Sequence, residues 1–132
     1  MGADHTLGTG RVDSEDSYVK SSIYMMKYIA GVDNIFCMFA GIPMMMDKEI
    51  TNEFFNVLST YFGEPWDMAR LLKLGNDTIS FEIKFNEAAK IGDAVMPKMF
   101  TEEKSEVTGA VYDVTPEQAS QIQAALQGND NL

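Results

Sequence analysis

The chain has 132 residues, of which 20 are acidic and 10 are basic, and its formal net charge is -10. Hydrophobic residues make up 45% and charged residues 23%, the usage of an ordinary globular domain, so we expect one folded unit. A protein that grips the nucleic-acid backbone needs Lys and Arg to neutralise phosphates, so this excess of acid argues against direct nucleic-acid binding.

The first 13 residues are rich in Gly, Thr and Asp and show no apolar periodicity, which is typical of a flexible acidic arm. We expect a single α+β domain over residues 14–127 and a frayed polar tail over residues 128–132. Within the domain, Ser14 or Ser17 can cap a first helix that ends at Gly31. Its apolar residues recur at helical spacing: Tyr18, Val19, Ile23, Met25, Met26 and Ile29.

An uncharged apolar block follows over residues 35–46. Gly41 and Pro43 argue against a long helix there, so residues 35–39 are predicted to form a buried strand. Cys37 lies among apolar neighbours and is interpreted as a small core residue.

Two helices are expected next. The first begins behind a cap at Asp47 or Thr51 and ends at Gly63. Its apolar face comprises Ile50, Phe54, Val57, Leu58, Tyr61 and Phe62. The second runs from Pro65 to Gly75.

Two strands and a last helix complete the predicted fold. Asn76 and Asp77 indicate a turn, after which Ile79, Phe81, Ile83 and Phe85 alternate with polar residues, a pattern typical of a half-buried strand over residues 78–85. A second strand is predicted over residues 106–114. The run from Thr115 to Gln118 has the features of a helix start with a capping box, and Ile122, Ala125 and Leu126 give that helix an apolar stripe. The fold class is therefore predicted as α+β, with three or four helices packed on a small, mostly antiparallel sheet.

The inventory of reactive side chains is poor. The one histidine, His5, lies in the expected arm, where its geometry cannot be held for acid-base catalysis. One Cys and one His cannot form a zinc site. Glu82 and Lys84 would share one face of the strand, as in metal-dependent nucleases, but a surface ion pair explains them better. We expect no catalytic residue, no cofactor and no metal.

The apolar block also bears on location and partners. At about twelve residues it is too short for the roughly 20 needed to span a bilayer, and the N-terminal residues lack a signal-peptide pattern. A single cysteine fits a reducing compartment, so a cytoplasmic protein without a membrane span is expected.

For function, the sequence favours a non-enzymatic interaction or assembly protein that is homo-oligomeric, because dense apolar surface marks contact sites when it is exposed. The expected contact residues are Phe36, Met38, Phe39, Ile42, Met44, Met45 and Met46. The alternatives are a small hydrophobic-ligand-binding domain or enzyme with a pocket between helix and sheet, and an acidic inhibitor that mimics nucleic acid toward a basic partner.

Overall fold

The computed structural model describes residues 15–92, 97–107, 109, 111 and 115–126, and all the regular secondary structure in this part of the chain is helical. These described residues form six helices, in chain order α1 (Glu15–Asp33), α2 (Met38–Met46), α3 (Lys48–Phe62), α4 (Met68–Ala88), α5 (Lys98–Glu102) and α6 (Pro116–Leu126). No strand occurs among these residues. The prediction of an α+β fold with a small antiparallel sheet is therefore wrong. The expected arm over residues 1–13 and tail over residues 128–132 lie outside the described residues.

The predicted strand over residues 78–85 is the second half of α4. Ile79 and Ile83 are four residues apart, as are Phe81 and Phe85, so each pair lies along one side of a helix. Ile79 is buried, whereas Phe81 and Phe85 are exposed. The alternating pattern thus combines two helical pairs on different sides of α4.

Neither of the other two predicted strands is found among the described residues. Residues 35 and 36 lie in a turn and a bend, and the apolar block continues as helix α2, which includes Pro43. Of the predicted strand over residues 106–114, only 106, 107, 109 and 111 are described, and they lie in turns or irregular chain.

Helix α1 is the centre of the fold, since it contacts α2, α4 and α6. It continues past Gly31, its predicted end, to Asp33. The main core joins α1 to the inner sides of α2, α3 and α4 through Tyr28, Ile29, Val32, Met38, Phe55, Leu58 and Leu71. Two smaller clusters attach α6, one through Val19, Ile23 and Ala125 and the other through Ala30, Ile79 and Leu126.

Two glycines bring α1 and α4 into very close contact. A Cβ atom added at Gly75 would collide with the Lys27 carbonyl oxygen and lie 2.8 Å from the Gly31 backbone nitrogen. A Cβ atom at Gly31 would collide with the Leu71 carbonyl oxygen. The backbones can approach this closely only because both positions lack a side chain. Nearby, the Asn34 side-chain amide donates to Ala30 O at 2.7 Å and to Thr78 Oγ1 at 2.8 Å.

Three predicted helix boundaries are confirmed, whereas the helix predicted from Pro65 to Gly75 is instead α4, which begins at Met68 and ends at Ala88. Asp47 caps α3 by accepting from the Glu49 backbone N–H at 2.8 Å, and Gly63 ends that helix with a φ of 70°. At the start of α6, the Thr115 backbone N–H donates to Gln118 Oε1 at 2.8 Å, and the Gln118 backbone N–H donates to Thr115 Oγ1 at 3.2 Å. This reciprocal pair is the predicted capping box.

Tyr28 ties α1 to α2 and makes stability depend on pH. Its side chain is fully buried, and its hydroxyl donates to Gly41 O at 2.8 Å. Burial, with a smaller contribution from Tyr24, raises the pKa of Tyr28 from its ordinary 10.0 to about 12.

Because the folded state holds this proton more tightly, we expect the stabilisation to be complete below pH 10 and to be lost as the pH rises through about 12. A shift of that size corresponds to roughly 2 to 3 kcal/mol. Tyr28→Phe should cost about 1 to 3 kcal/mol at pH 7 because it leaves the Gly41 carbonyl unpaired, and it should flatten the alkaline loss of stability. Urea unfolding of both proteins from pH 8 to 12 tests this, with the exposed Tyr61→Phe as the control. An equal alkaline loss in Tyr28→Phe would contradict it.

Candidate interaction surface

Helix α2 has an apolar inner face and an apolar outer face. Met38, Gly41 and Met44 are buried at a spacing of three residues. A Cβ atom at Gly41 would lie 2.8 Å from Val32 Cγ1, so this side of α2 rests directly on α1. The opposite side carries no charged residue, although a helix that is apolar all round is normally covered on every side.

The outer face, which we define as Phe39, Ile42, Met45 and Met46, is uncovered by the described residues. Phe39 is 66% exposed and Met46 is 83% exposed, and Ile42 and Met45 are about 40% exposed. Phe39, Ile42 and Met46 are spaced by three and four residues and therefore line up along one side of the helix. Four neighbouring apolar side chains are thus presented by one short rigid element.

The seven residues predicted as contacts divide between the two faces. Phe39, Ile42, Met45 and Met46 form the outer face. Met38 and Met44 are buried, and Phe36 packs against the main core, with its ring centroid 4.6 Å from that of Phe54. The structure therefore separates the four side chains that a partner can reach from three that hold α2 in place.

Cys37 is exposed, so its interpretation as a small core residue is wrong. It occupies the capping position immediately before α2, where no side-chain hydrogen bond caps the helix. No local pattern indicates this exposure, because the neighbours of Cys37 are apolar whether the segment is a buried strand or the start of a helix.

The prediction that Glu82 and Lys84 share one face is wrong, because this segment is a helix and not a strand. Residues two positions apart on a helix point to different sides, and the Lys84 ammonium instead lies 5.9 Å from the centre of the Phe81 ring. Within the described parts of the chain, no three His, Cys, Asp or Glu side chains are grouped so that they could bind a metal ion. The same parts contain no helix both long and apolar enough to span a membrane.

Sequence reasoning missed two further features. The first is the exposed pair Phe81 and Phe85 on α4, which the strand interpretation assigned to one buried face together with Ile79 and Ile83. The second is an apolar groove beside α6. The exposed pair could have been found by testing residues 75–88 at helical spacing, whereas the groove depends on contacts among three helices.

We compared the chain with protein families, curated proteins and solved structures. No protein-family model, curated protein or solved structure matches the chain.

Proposed function

We propose that this protein is a non-enzymatic assembly protein that associates with a second copy of itself through the outer face of α2. The observation that carries the proposal is the exposure of Phe39, Ile42, Met45 and Met46 on a helix without a charged residue. Contiguous apolar surface of this kind marks interaction sites on soluble proteins. Methionine strengthens the case because its flexible side chain adapts to a partner's shape.

A second copy suits this surface because a two-fold contact must be self-complementary. Two α2 helices that pack antiparallel would place Phe39 of one copy beside Met46 of the other. With no charge on α2, no like charges meet at the centre of such a contact.

Net charge gives the proposed assembly a distinctive salt dependence. Each copy carries a formal charge of -10, so two copies repel each other at long range, and salt screens that repulsion. Self-association should therefore strengthen as salt rises. An acidic inhibitor bound to a basic partner would show the opposite trend, because salt screens its attraction.

The test is solution mass by light scattering across a dilution series at low and high salt. We expect a concentration-dependent dimer whose dissociation constant falls as salt is added. The double variant Phe39→Ser with Met46→Ser should be monomeric, because it removes the two most exposed side chains of the outer face. The matched control is Phe81→Ser with Phe85→Ser, which removes two exposed side chains from α4 and should leave the dimer intact.

A monomer at every concentration would contradict the proposal, as would a dimer that only the control variant dissociates. Met44 is unsuitable for this test, because it is buried and its replacement would disturb the core.

We also propose a cytoplasmic location. The support is the single cysteine, which is exposed as a free thiol at the edge of α2. Free exposed thiols persist where the compartment is reducing.

A further inference from the structure

An apolar groove lies where α6 meets α1 and α4, away from α2. Its volume is about 230 Å³, and it is open to solvent on one side. Its aliphatic lining comes from three helices: Met26 of α1, Ile79 and Ile83 of α4, and Ala119, Ile122 and Leu126 of α6. The groove is therefore a preformed apolar site and not a gap within one helix surface.

The groove exists because the contact between α4 and α6 is incomplete. At the C-terminal end of α6, Leu126 is buried against Ile79, and the Ser80 hydroxyl donates to Leu126 O at 3.2 Å. Toward the N-terminal end of α6, the residue facing the groove is Ala119, whose methyl group is too short to fill the space. The two helices meet at one end and leave an apolar space at the other.

Two polar side chains of α4 also line this groove. Glu82 and Asn86 are four residues apart and lie on the same side of the helix. Together they present a carboxylate and a carboxamide oxygen beside an aliphatic surface. None of the described residues that line the groove is Lys or Arg, so among these described lining residues the carboxylate has no cationic partner.

We propose that the groove binds a small primary amine with a compact apolar tail. The tail fills the space between Ile79, Ile83 and Ile122, and the ammonium group donates to the Glu82 carboxylate and the Asn86 carboxamide oxygen. Apolar pockets with a few convergent polar groups are the usual form of small-molecule sites. The volume is below the 300 to 1,000 Å³ typical of drug-sized ligands, so the site suits a tail of about one phenyl ring.

Bound amine would connect α4 to α6 where they do not touch. A ligand that binds only when α6 is packed against α4 stabilises that packing by mass action. Amide hydrogen exchange in α6 should therefore slow when the site is filled. This inference concerns a surface separate from the outer face of α2, so its failure would leave the assembly proposal unaffected, and the reverse also holds.

The experiment uses the full chain and 2-phenylethylamine as the probe, followed by isoleucine methyl NMR and by amide exchange of α6. 2-Phenylethanol has a similar tail without the charge, and 3-phenylpropionate carries the opposite charge. We expect the amine to shift the methyl signals of Ile79, Ile83 and Ile122, the alcohol to bind more weakly and the acid not to bind. Charge-assisted hydrogen bonds are about twice as strong as neutral ones, so Glu82→Gln should weaken amine binding by about tenfold.

Two variants make the result decisive. Glu87→Gln makes the same charge change at an exposed position of α4 outside this groove, and it should leave amine binding within about twofold. Ala119→Leu should fill the groove and abolish binding of amine and alcohol while the fold is retained. The proposal is overturned if the acid binds as well as the amine, if Glu82→Gln and Glu87→Gln have equal effects, if Ala119→Leu still binds the amine, or if no methyl signal moves.

Discussion

Replacing Gly75 by alanine is expected to destabilise the protein by about 3 kcal/mol or more, even though alanine is the better helix former by about 1 kcal/mol. The added methyl group would collide with the Lys27 carbonyl oxygen, and backbone atoms cannot move aside as a flexible side chain can. Relief requires α1 and α4 to separate, which disturbs the core around the fully buried Leu71. Overpacking that displaces backbone costs 1 to 3 kcal/mol and occasionally more.

Urea denaturation of Gly75→Ala and Gly92→Ala measures this effect against a matched control. No atom of the described residues lies within 4 Å of a Cβ atom placed at Gly92, and its backbone does not have a positive φ, so this change should stay within about 0.5 kcal/mol of zero. Equal stabilities for the two variants would show that α1 and α4 do not cross as closely as described.

The second large effect on stability distinguishes the helix observed at residues 78–85 from the strand that the sequence pattern predicts there. Ile79→Ala should cost about 3 kcal/mol, because Ile79 is 3% exposed and packs against Ala30 and Leu126. Phe81→Ala should change stability by less than about 0.5 kcal/mol, because Phe81 is 73% exposed.

On a strand, residues 79 and 81 would lie on the same face, so both substitutions would be costly. Thermal and urea unfolding of the two variants therefore decide between the arrangements. A large loss of stability in both would contradict the helical arrangement of this segment.

Local signals predicted several helix boundaries correctly. The caps at Asp47 and Thr115 and the glycine at residue 63 act through hydrogen bonds and backbone angles within a few residues, so the sequence alone contains the required information. The fold class depended on longer-range contacts and was not recovered.

The error in α4 has a specific cause. Gly75, Asn76 and Asp77 have the composition of a turn, yet they lie inside a helix. Gly75 is explained by the close approach of α1, which no local pattern reveals. Once a turn was assumed, the seven residues from Ile79 to Phe85 were too short a window to distinguish a period of two from two pairs at helical spacing.

The residues predicted as contacts divide between a buried side and an exposed side of α2. The apolar block was identified from its lack of charge, but composition cannot show which of its residues pack in the core and which are exposed on the outer face. Met44 is 4% exposed and Met46 is 83% exposed, although both belong to the same run of three methionines. Only the docking of α2 on α1, through Gly41 and Tyr28, determines which of them faces out.

The most direct test of self-association through α2 uses Cys37, the chain's single cysteine, which is exposed at the start of that helix. A spin label on this thiol reports the distance between two copies by pulsed dipolar spectroscopy. A nine-residue helix is about 14 Å long, so antiparallel packing of two α2 helices predicts a label separation of roughly 15 to 35 Å once the label arms are included. Phe39→Ser with Met46→Ser should abolish that signal. The absence of intermolecular coupling at concentrations where the mass is that of a dimer, or a separation well beyond this range, would contradict the proposal that α2 forms the contact.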